Sequence, residues 1–171
     1  MCGITGYIGG KEATPVLLKG LKRLEYRGYD SSGIAVQSSS KIQFFKKKGK
    51  ISELQKLISS NLVSGSIGIA HTRWATHGSP TDFNSHPHLN ESGTIAVVHN
   101  GIIENYRPIK ETLIKKGVLF KSETDTEVLA HLISTIYYQE KKISLKDSVR
   151  AALQEVVGTY GIVVLCSDEP D

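Results

Sequence analysis

Cys2 stands one residue from the start of the chain, so removal of Met1 would place its thiol and a free α-amine on one carbon skeleton. An α-amine with a pKa of about 7.7–8.0 is partly free base near neutrality. It can take the thiol proton, directly or through one water, which makes Cys2 a nucleophile that carries its own base. Read without its surroundings, a cysteine at position 2 is more often an incidental residue than a nucleophile. The other cysteine, Cys166, ends the apolar run Ile162, Val163, Val164, Leu165 and reads as a small buried hydrophobe. The two do not form a disulfide framework.

Three further clusters carry groups that such a nucleophile would need. In His99-Asn100-Gly101 a carboxamide donor is followed by a glycine N–H, a pair able to hold the oxyanion formed when a thiolate attacks an amide. The same Asn-Gly pair is also a common hairpin turn. In His71-Thr72-Arg73-Trp74-Ala75-Thr76-His77-Gly78, Arg73 offers a planar fork suited to a carboxylate, and Trp74 a surface to exclude water. A surface arginine and a core tryptophan are the plainer reading. In Ser122-Glu123-Thr124-Asp125-Thr126-Glu127, Asp125 could accept a substrate ammonium or simply complement a helix dipole. His71, His77, His86, His88 and His99 crowd one stretch. Their spacing matches no structural zinc site and no second cysteine joins them, so no metal is expected.

The elements that must position these groups can be read from periodicity. Residues 2–8 form a short apolar strand before Gly9-Gly10. Thr14 as N-cap and Pro15 as first helical residue open a helix with Leu17, Leu21 and Leu24 on one face, stopped by Gly28. Strands at 33–37 and 42–45, a helix at 52–58 and a strand at 67–71 lead into a long loop, 72 to about 89. Loops of that length are usually functional. A strand at 94–99 ends at Asn100-Gly101, and a helix then runs from Ile102 through Leu113 to Gly117. A short strand at 118–121 precedes a helix near Thr124, where Thr124 and Glu127 have capping-box spacing. A helix from Ser144 and a strand at 161–166 follow. This mixture, without strict βαβ alternation, predicts α+β layers with a largely antiparallel sheet.

The 171 residues predict one domain, and 39% hydrophobic with 22% charged residues is ordinary for a globular chain. The net charge of +4 is mild. Its densest run, Lys46-Lys47-Lys48 with Lys50, reads as a solvated hairpin or loop and lacks the interleaved aromatics of a nucleic-acid site. No stretch approaches the ~20 apolar residues of a membrane span, and no secretory signal opens the chain. The expectation is a cytoplasmic protein without nucleic-acid or membrane partners.

Taken together, the motifs resemble the class II glutamine amidotransferases, a family of N-terminal-nucleophile hydrolases. Cys2-Gly3-Ile4 with Gly6 is similar to the family's N-terminal signature. Leu24-Glu25-Tyr26-Arg27-Gly28-Tyr29-Asp30-Ser31 narrows the resemblance to members that use fructose 6-phosphate to make glucosamine 6-phosphate. So do the Arg73, Asn100 and Asp125 stretches, the second as Val98-His99-Asn100-Gly101-Ile102-Ile103-Glu104-Asn105. The resemblance implies a four-layer αββα sandwich and hydrolysis of L-glutamine to glutamate and ammonia through a Cys2 thioester, with no cofactor. It implies an oxyanion hole at Asn100 and Gly101. Arg73 would hold the glutamine carboxylate, with Thr76 and His77 in the same pocket, and Asp125 the ammonium. Trp74 would lie in a lid, Arg27 would support the nucleophile, and His86 and His99 would stand behind the site. Family members continue with further strands and two sugar-isomerase domains. Residues 1–171 would then be a glutaminase domain incomplete at its C-terminus, meeting fructose 6-phosphate only through those missing domains. The full-length enzyme is expected to be a homo-oligomer. With Met1 attached, the inferred base is absent. Two rivals stand beside this reading. One is a purine-pathway or asparagine-forming amidotransferase, in which Glu25 to Asp30 would be unexpected. The other is a silent binding or assembly domain, which the intact set of Cys2, Arg73, Asn100, Gly101 and Asp125 argues against.

Overall fold

The computed structural model describes residues 2–61, 63–74, 78–139 and 143–170. Two antiparallel sheets form its centre. The first has the strand order β1 (Gly3–Ile8), β4 (Ile67–Arg73), β2 (Ser31–Ser38), β3 (Lys41–Lys48). The second has β5 (His88–Leu89), β6 (Ile95–Ile103), β7 (Gly158–Cys166). Helices α1 (Ala13–Leu24) and α2 (Ile51–Ser59) cover the outer face of the first sheet. Helices α3 (Tyr106–Lys115), α4 (Asp125–Tyr137) and α5 (Leu145–Gln154) lie outside the second. The expected αββα sandwich is therefore present.

Strand alternation sorts side chains into three cores. On β2, Ile34 and Val36 face the α1–α2 layer, where they meet Leu17, Leu21 and Leu54, while Ala35 faces the other sheet. On β6, Ile95, Val97 and Ile103 face Leu129 and Ile133 of α4, while Ala96 and Val98 meet Ile69 and Leu165 between the sheets. At the sheet–sheet contact the small Ala35 and Ala96 lie among Ile69, Val98 and Leu165. Each fully buried Leu or Ile contributes roughly 1.5–3 kcal/mol. The same parity carries to the strand ends. Arg73 and His71 share the inward face of Ile69, and Asn100 shares that of Val98.

Several boundaries differ from the sequence reading. Helix α1 begins two residues before Pro15, with Glu12 as N-cap, because the Thr14 hydroxyl is spent as a donor to Val63 O at 3.2 Å. Asn100-Gly101 is no turn: β6 runs through it to Ile103, paired with β7, so α3 starts only at Tyr106. Gly117, at φ 90°, does stop α3. Residues 118–121 are not a strand, since Val118 N caps α3 and Lys121 N goes to the Glu127 carboxylate. Thr124 is the N-cap of α4 without a capping box, because its hydroxyl meets His88 Nε2 at 3.0 Å and Glu127 serves Lys121 and Ser122. The lysine run lies on β3, one arm of the β2–β3 hairpin, as the hairpin reading expected, but it is only partly solvated. Lys46 Nζ donates to Phe83 O, Lys47 pairs with Asp82 at 2.9 Å, and burial pulls the Lys46 amine down to about 8.

Candidate active site

The ends of β1, β4 and β6 meet at one edge of the sandwich. Cys2 precedes β1, whose first residue, Gly3, is in register with Thr72 of β4. Gly3 N donates to Thr72 Oγ1 at 3.1 Å, and a Cβ on Gly3 would come within 2.7 Å of Leu24 Cβ, so only glycine brings Cys2 this close to β4. The half-buried thiol then sits against the next two residues of β4 and its loop. Trp74 N donates to Cys2 Sγ at 3.2 Å, and Sγ lies 3.6 Å from Trp74 O. Trp74 is exposed and meets the Tyr29 ring edge-on at 5.4 Å.

Arg73 is buried, 4% exposed. Its guanidinium donates to Gly78 O at 3.2 Å and Ser79 O at 3.4 Å. Burial lowers its pKa, while Cys2, Asp125 and Asp30 favour its charge. Asp125 opens α4, where an acid is favoured by the helix dipole, and its Oδ2 accepts from Ile103 N at 2.9 Å. An Arg⁺ and an Asp⁻ thus face one small cleft beside the thiol. That pairing suits the two charged ends of an amino acid.

On β6, Asn100 Nδ2 donates to Cys2 O at 3.3 Å, and Asn100 Oδ1 lies 2.9 Å from His71 Nε2. Gly101 adopts φ 137°, and a Cβ there would fall 1.9 Å from Thr159 O of β7. Glycine is therefore obligatory. Behind this wall the Thr126 hydroxyl lies 2.9 Å from both His86 Nε2 and His99 Nδ1. His86 stacks on His71 with ring centroids 4.1 Å apart. Burial pushes His86, His88 and His99 below the ordinary histidine range and His71 to about 4. These rings are neutral at pH 7 and serve as hydrogen-bonding struts.

Of the residues singled out from sequence, Cys2, Arg73, Trp74, Gly101, Asp125, His86 and His99 line this one cleft, and Asn100 reaches it through Cys2. Thr76 and His77 lie outside the described residues. Arg27 is half-buried on the 3₁₀ turn Glu25–Arg27 and does not line the cleft. Its neighbour Gly28 packs on the Arg73–Trp74 backbone, where a Cβ would meet Arg73 C at 2.8 Å. His71, Thr124 and Thr126 belong to the site as well, with little signal of it in sequence: the two threonines sit at the start of α4, and His71 reaches the site through Asn100. Among the described residues no cluster of three His, Cys, Asp or Glu side chains could hold a metal.

A family model described as a glutamine amidotransferase domain matches residues 58–142. The glutamine–fructose-6-phosphate aminotransferases [isomerizing] of Caldanaerobacter subterraneus subsp. tengcongensis and Chlorobaculum tepidum are each 55% identical over the whole of this chain, which spans 28% of their length. That of Clostridium perfringens is 54% identical, with 27% of its length covered. Among solved structures, glutamine phosphoribosylpyrophosphate amidotransferase from B. subtilis superposes with a TM-score of 0.80 at 30% identity, over 98% of this chain and 35% of that one. A structure described as the allosteric regulatory enzyme of purine biosynthesis gives 0.83 at 29% identity, over 98% and 36%. With its two sheets between helices and a Cys2 cleft at their edge, the chain belongs to the class II glutamine amidotransferases, the N-terminal-nucleophile type.

Proposed function

We propose that the chain hydrolyses L-glutamine to glutamate and ammonia with Cys2 as nucleophile. The observation that carries this is the convergence on one cleft of a thiol, a carboxamide donor beside it, and an Arg/Asp pair of opposite charge. The glutamine α-carboxylate binds Arg73 and its α-ammonium Asp125. Glutamine's side chain then reaches Cys2. The α-amine of Cys2, freed by removal of Met1, takes the Sγ proton, and Sγ bonds to the amide carbon. Charge moves to the amide oxygen, where Asn100 Nδ2 and Gly101 N–H stabilise it. Collapse breaks the C–N bond, the Cys2 ammonium protonates the departing nitrogen, and ammonia leaves a thioester. Water, deprotonated by the same amine, cleaves the thioester to glutamate and restores the thiol.

In the longer protein the ammonia passes to fructose 6-phosphate, giving glucosamine 6-phosphate. The sugar phosphate binds chain outside residues 1–171. Identity of 55% to aminotransferases of that name supports this acceptor over a purine or asparagine pathway. The test measures glutamate release and amino-sugar formation, each with and without fructose 6-phosphate. Residues 1–171 should release glutamate at a rate indifferent to the sugar, form no amino sugar, and lose all hydrolysis in Cys2→Ala. Hydrolysis that survives Cys2→Ala, or an amino sugar made by residues 1–171, contradicts the proposal.

A further inference from the structure

We infer that His71 is a positioning residue that decides which way the Asn100 carboxamide faces. This rests on the glutaminase reading above. His71 projects from β4 into the space between the sheets, fully buried. Its Nε2 lies 2.9 Å from Asn100 Oδ1 and 3.1 Å from His99 O. A backbone carbonyl can only accept, so Nε2 must carry the hydrogen, and that one N–H is shared between two oxygens. With Nε2–H fixed, the end of the Asn100 amide that meets it must be the oxygen. The flipped amide would set N–H against N–H. The nitrogen is therefore turned away from His71 and toward Cys2, where Nδ2 donates to the Cys2 carbonyl at 3.3 Å. Because His99 O is held by the same hydrogen, the peptide that enters Asn100 is fixed along with its side chain.

The remaining ring nitrogens agree with this assignment. Burial holds the His71 pKa to about 4, so the ring is neutral at pH 7 and Nδ1 is a bare acceptor. Among the described residues Nδ1 has no hydrogen-bond partner, as the Nε2–H tautomer allows. The layer behind is ordered by the same logic. His99 Nε2 faces Thr159 O at 3.4 Å and so donates, which leaves Nδ1 to accept from the Thr126 hydroxyl. Thr126 Oγ1 in turn accepts from His86 Nε2–H, and the His86 ring lies against His71. Each proton in this relay has one place to be, and the arrangement ends with an N–H of Asn100 on the Cys2 carbonyl, at the residue that carries the nucleophile. An oxyanion donor works because it is already aimed where charge will form. His71 supplies that aim without touching substrate.

The experiment joins a spectroscopic and a kinetic arm. Selective ¹⁵N labelling of histidine in the unsubstituted protein should show His71 as the Nε2–H tautomer across pH 6–8. His71→Phe keeps a ring against His86 and removes the donor. It should lower kcat for glutamine hydrolysis about tenfold or more, with KM within about twofold, since aim rather than binding is lost. His71→Gln, whose terminal N–H can reach the same oxygen, should recover most of that loss. In an Asn100→Ala background, His71→Phe should cost less than about twofold more, because nothing remains to be aimed. An Nδ1–H tautomer, an equal loss in both backgrounds, or a rise in KM at constant kcat would overturn the inference. If His71→Phe does not fold, the tautomer and His71→Gln still decide it. Failure of the glutaminase reading looks different: the unsubstituted protein would then release no glutamate from glutamine, while the His71 tautomer would still be read by ¹⁵N labelling.

Discussion

The two walls of the Cys2 cleft are held by different means. The wall formed by Asn100 and Gly101 lies within a continuous strand, pressed from one side by Thr159 of β7 and braced from behind by His71, His86, His99 and Thr126. The wall formed by Arg73 and Trp74 stands where β4 gives way to a loop. Its guanidinium is held by the loop carbonyls of Gly78 and Ser79, and its tryptophan is 43% exposed. The difference matches the two tasks proposed for the walls. Donors for an oxyanion must be fixed before charge develops, whereas recognition of a substrate that enters and leaves suits groups carried by a loop. On the proposed roles, the strand wall serves kcat and the wall at the loop serves binding.

The largest effects should fall on the strand wall. Asn100→Ala should cost about 10²–10³ in kcat, about 2.7–4 kcal/mol, with KM little changed, as steady-state kinetics would show. Gly101→Ala should fail earlier. Its φ of 137° and the 1.9 Å approach to Thr159 O force β6 and β7 apart, so thermal unfolding should shift down markedly.

The same wall should make stability sensitive to acid. His71 falls from an ordinary 6.5 to about 4 in the folded state. Between those values the unfolded chain binds more protons than the folded one. Stability is therefore complete above about pH 6.5, falls as the pH drops toward 4, and levels off below. At about 1.4 kcal/mol per pH unit, His71 alone accounts for about 3 kcal/mol. His86, His88 and His99 are lowered in the same direction and steepen the fall. Urea unfolding followed from pH 7.5 to 4.5 checks this, and His71→Gln should flatten the slope.

Changes on the loop wall should be smaller and of another kind. Arg73→Lys keeps the charge and loses the fork. It should weaken glutamine use by about 1.5–3 kcal/mol, mostly as a raised KM. Trp74→Ala, at an exposed position, should change unfolding free energy by no more than about 0.5 kcal/mol. A kcat defect in Arg73→Lys as large as that of Asn100→Ala would erase the contrast between the walls.

The parts of this architecture that were legible in sequence are those whose signal is local. Strand parity and helical period gave the α+β layers, and Cys2, Arg73 and Asp125 stood in motifs whose chemistry could be read residue by residue. What escaped was decided by distant chain. Asn100-Gly101 reads locally as a turn, yet it is strand because β7, some 60 residues later, pairs with it. Thr14 reads as a cap, but its hydroxyl serves Val63. His71 showed only as one of several histidines near the site, since its bond to Asn100 joins two different sheets. Lys46 reads as solvated with its neighbours, yet Phe83 comes back to meet it and burial lowers its amine.

The proposed function stands on Cys2, with its own amine free, as the nucleophile. The most direct measurement is mass-spectrometric peptide mapping after treating the folded protein with a glutamine analogue that carries an electrophile in place of the amide. Intact mass of the same sample reports whether Met1 is present. One label per chain is expected, on Cys2, in molecules that lack Met1, with protection by excess glutamine. A label on Cys166, or equal labelling of molecules that retain Met1, would contradict it.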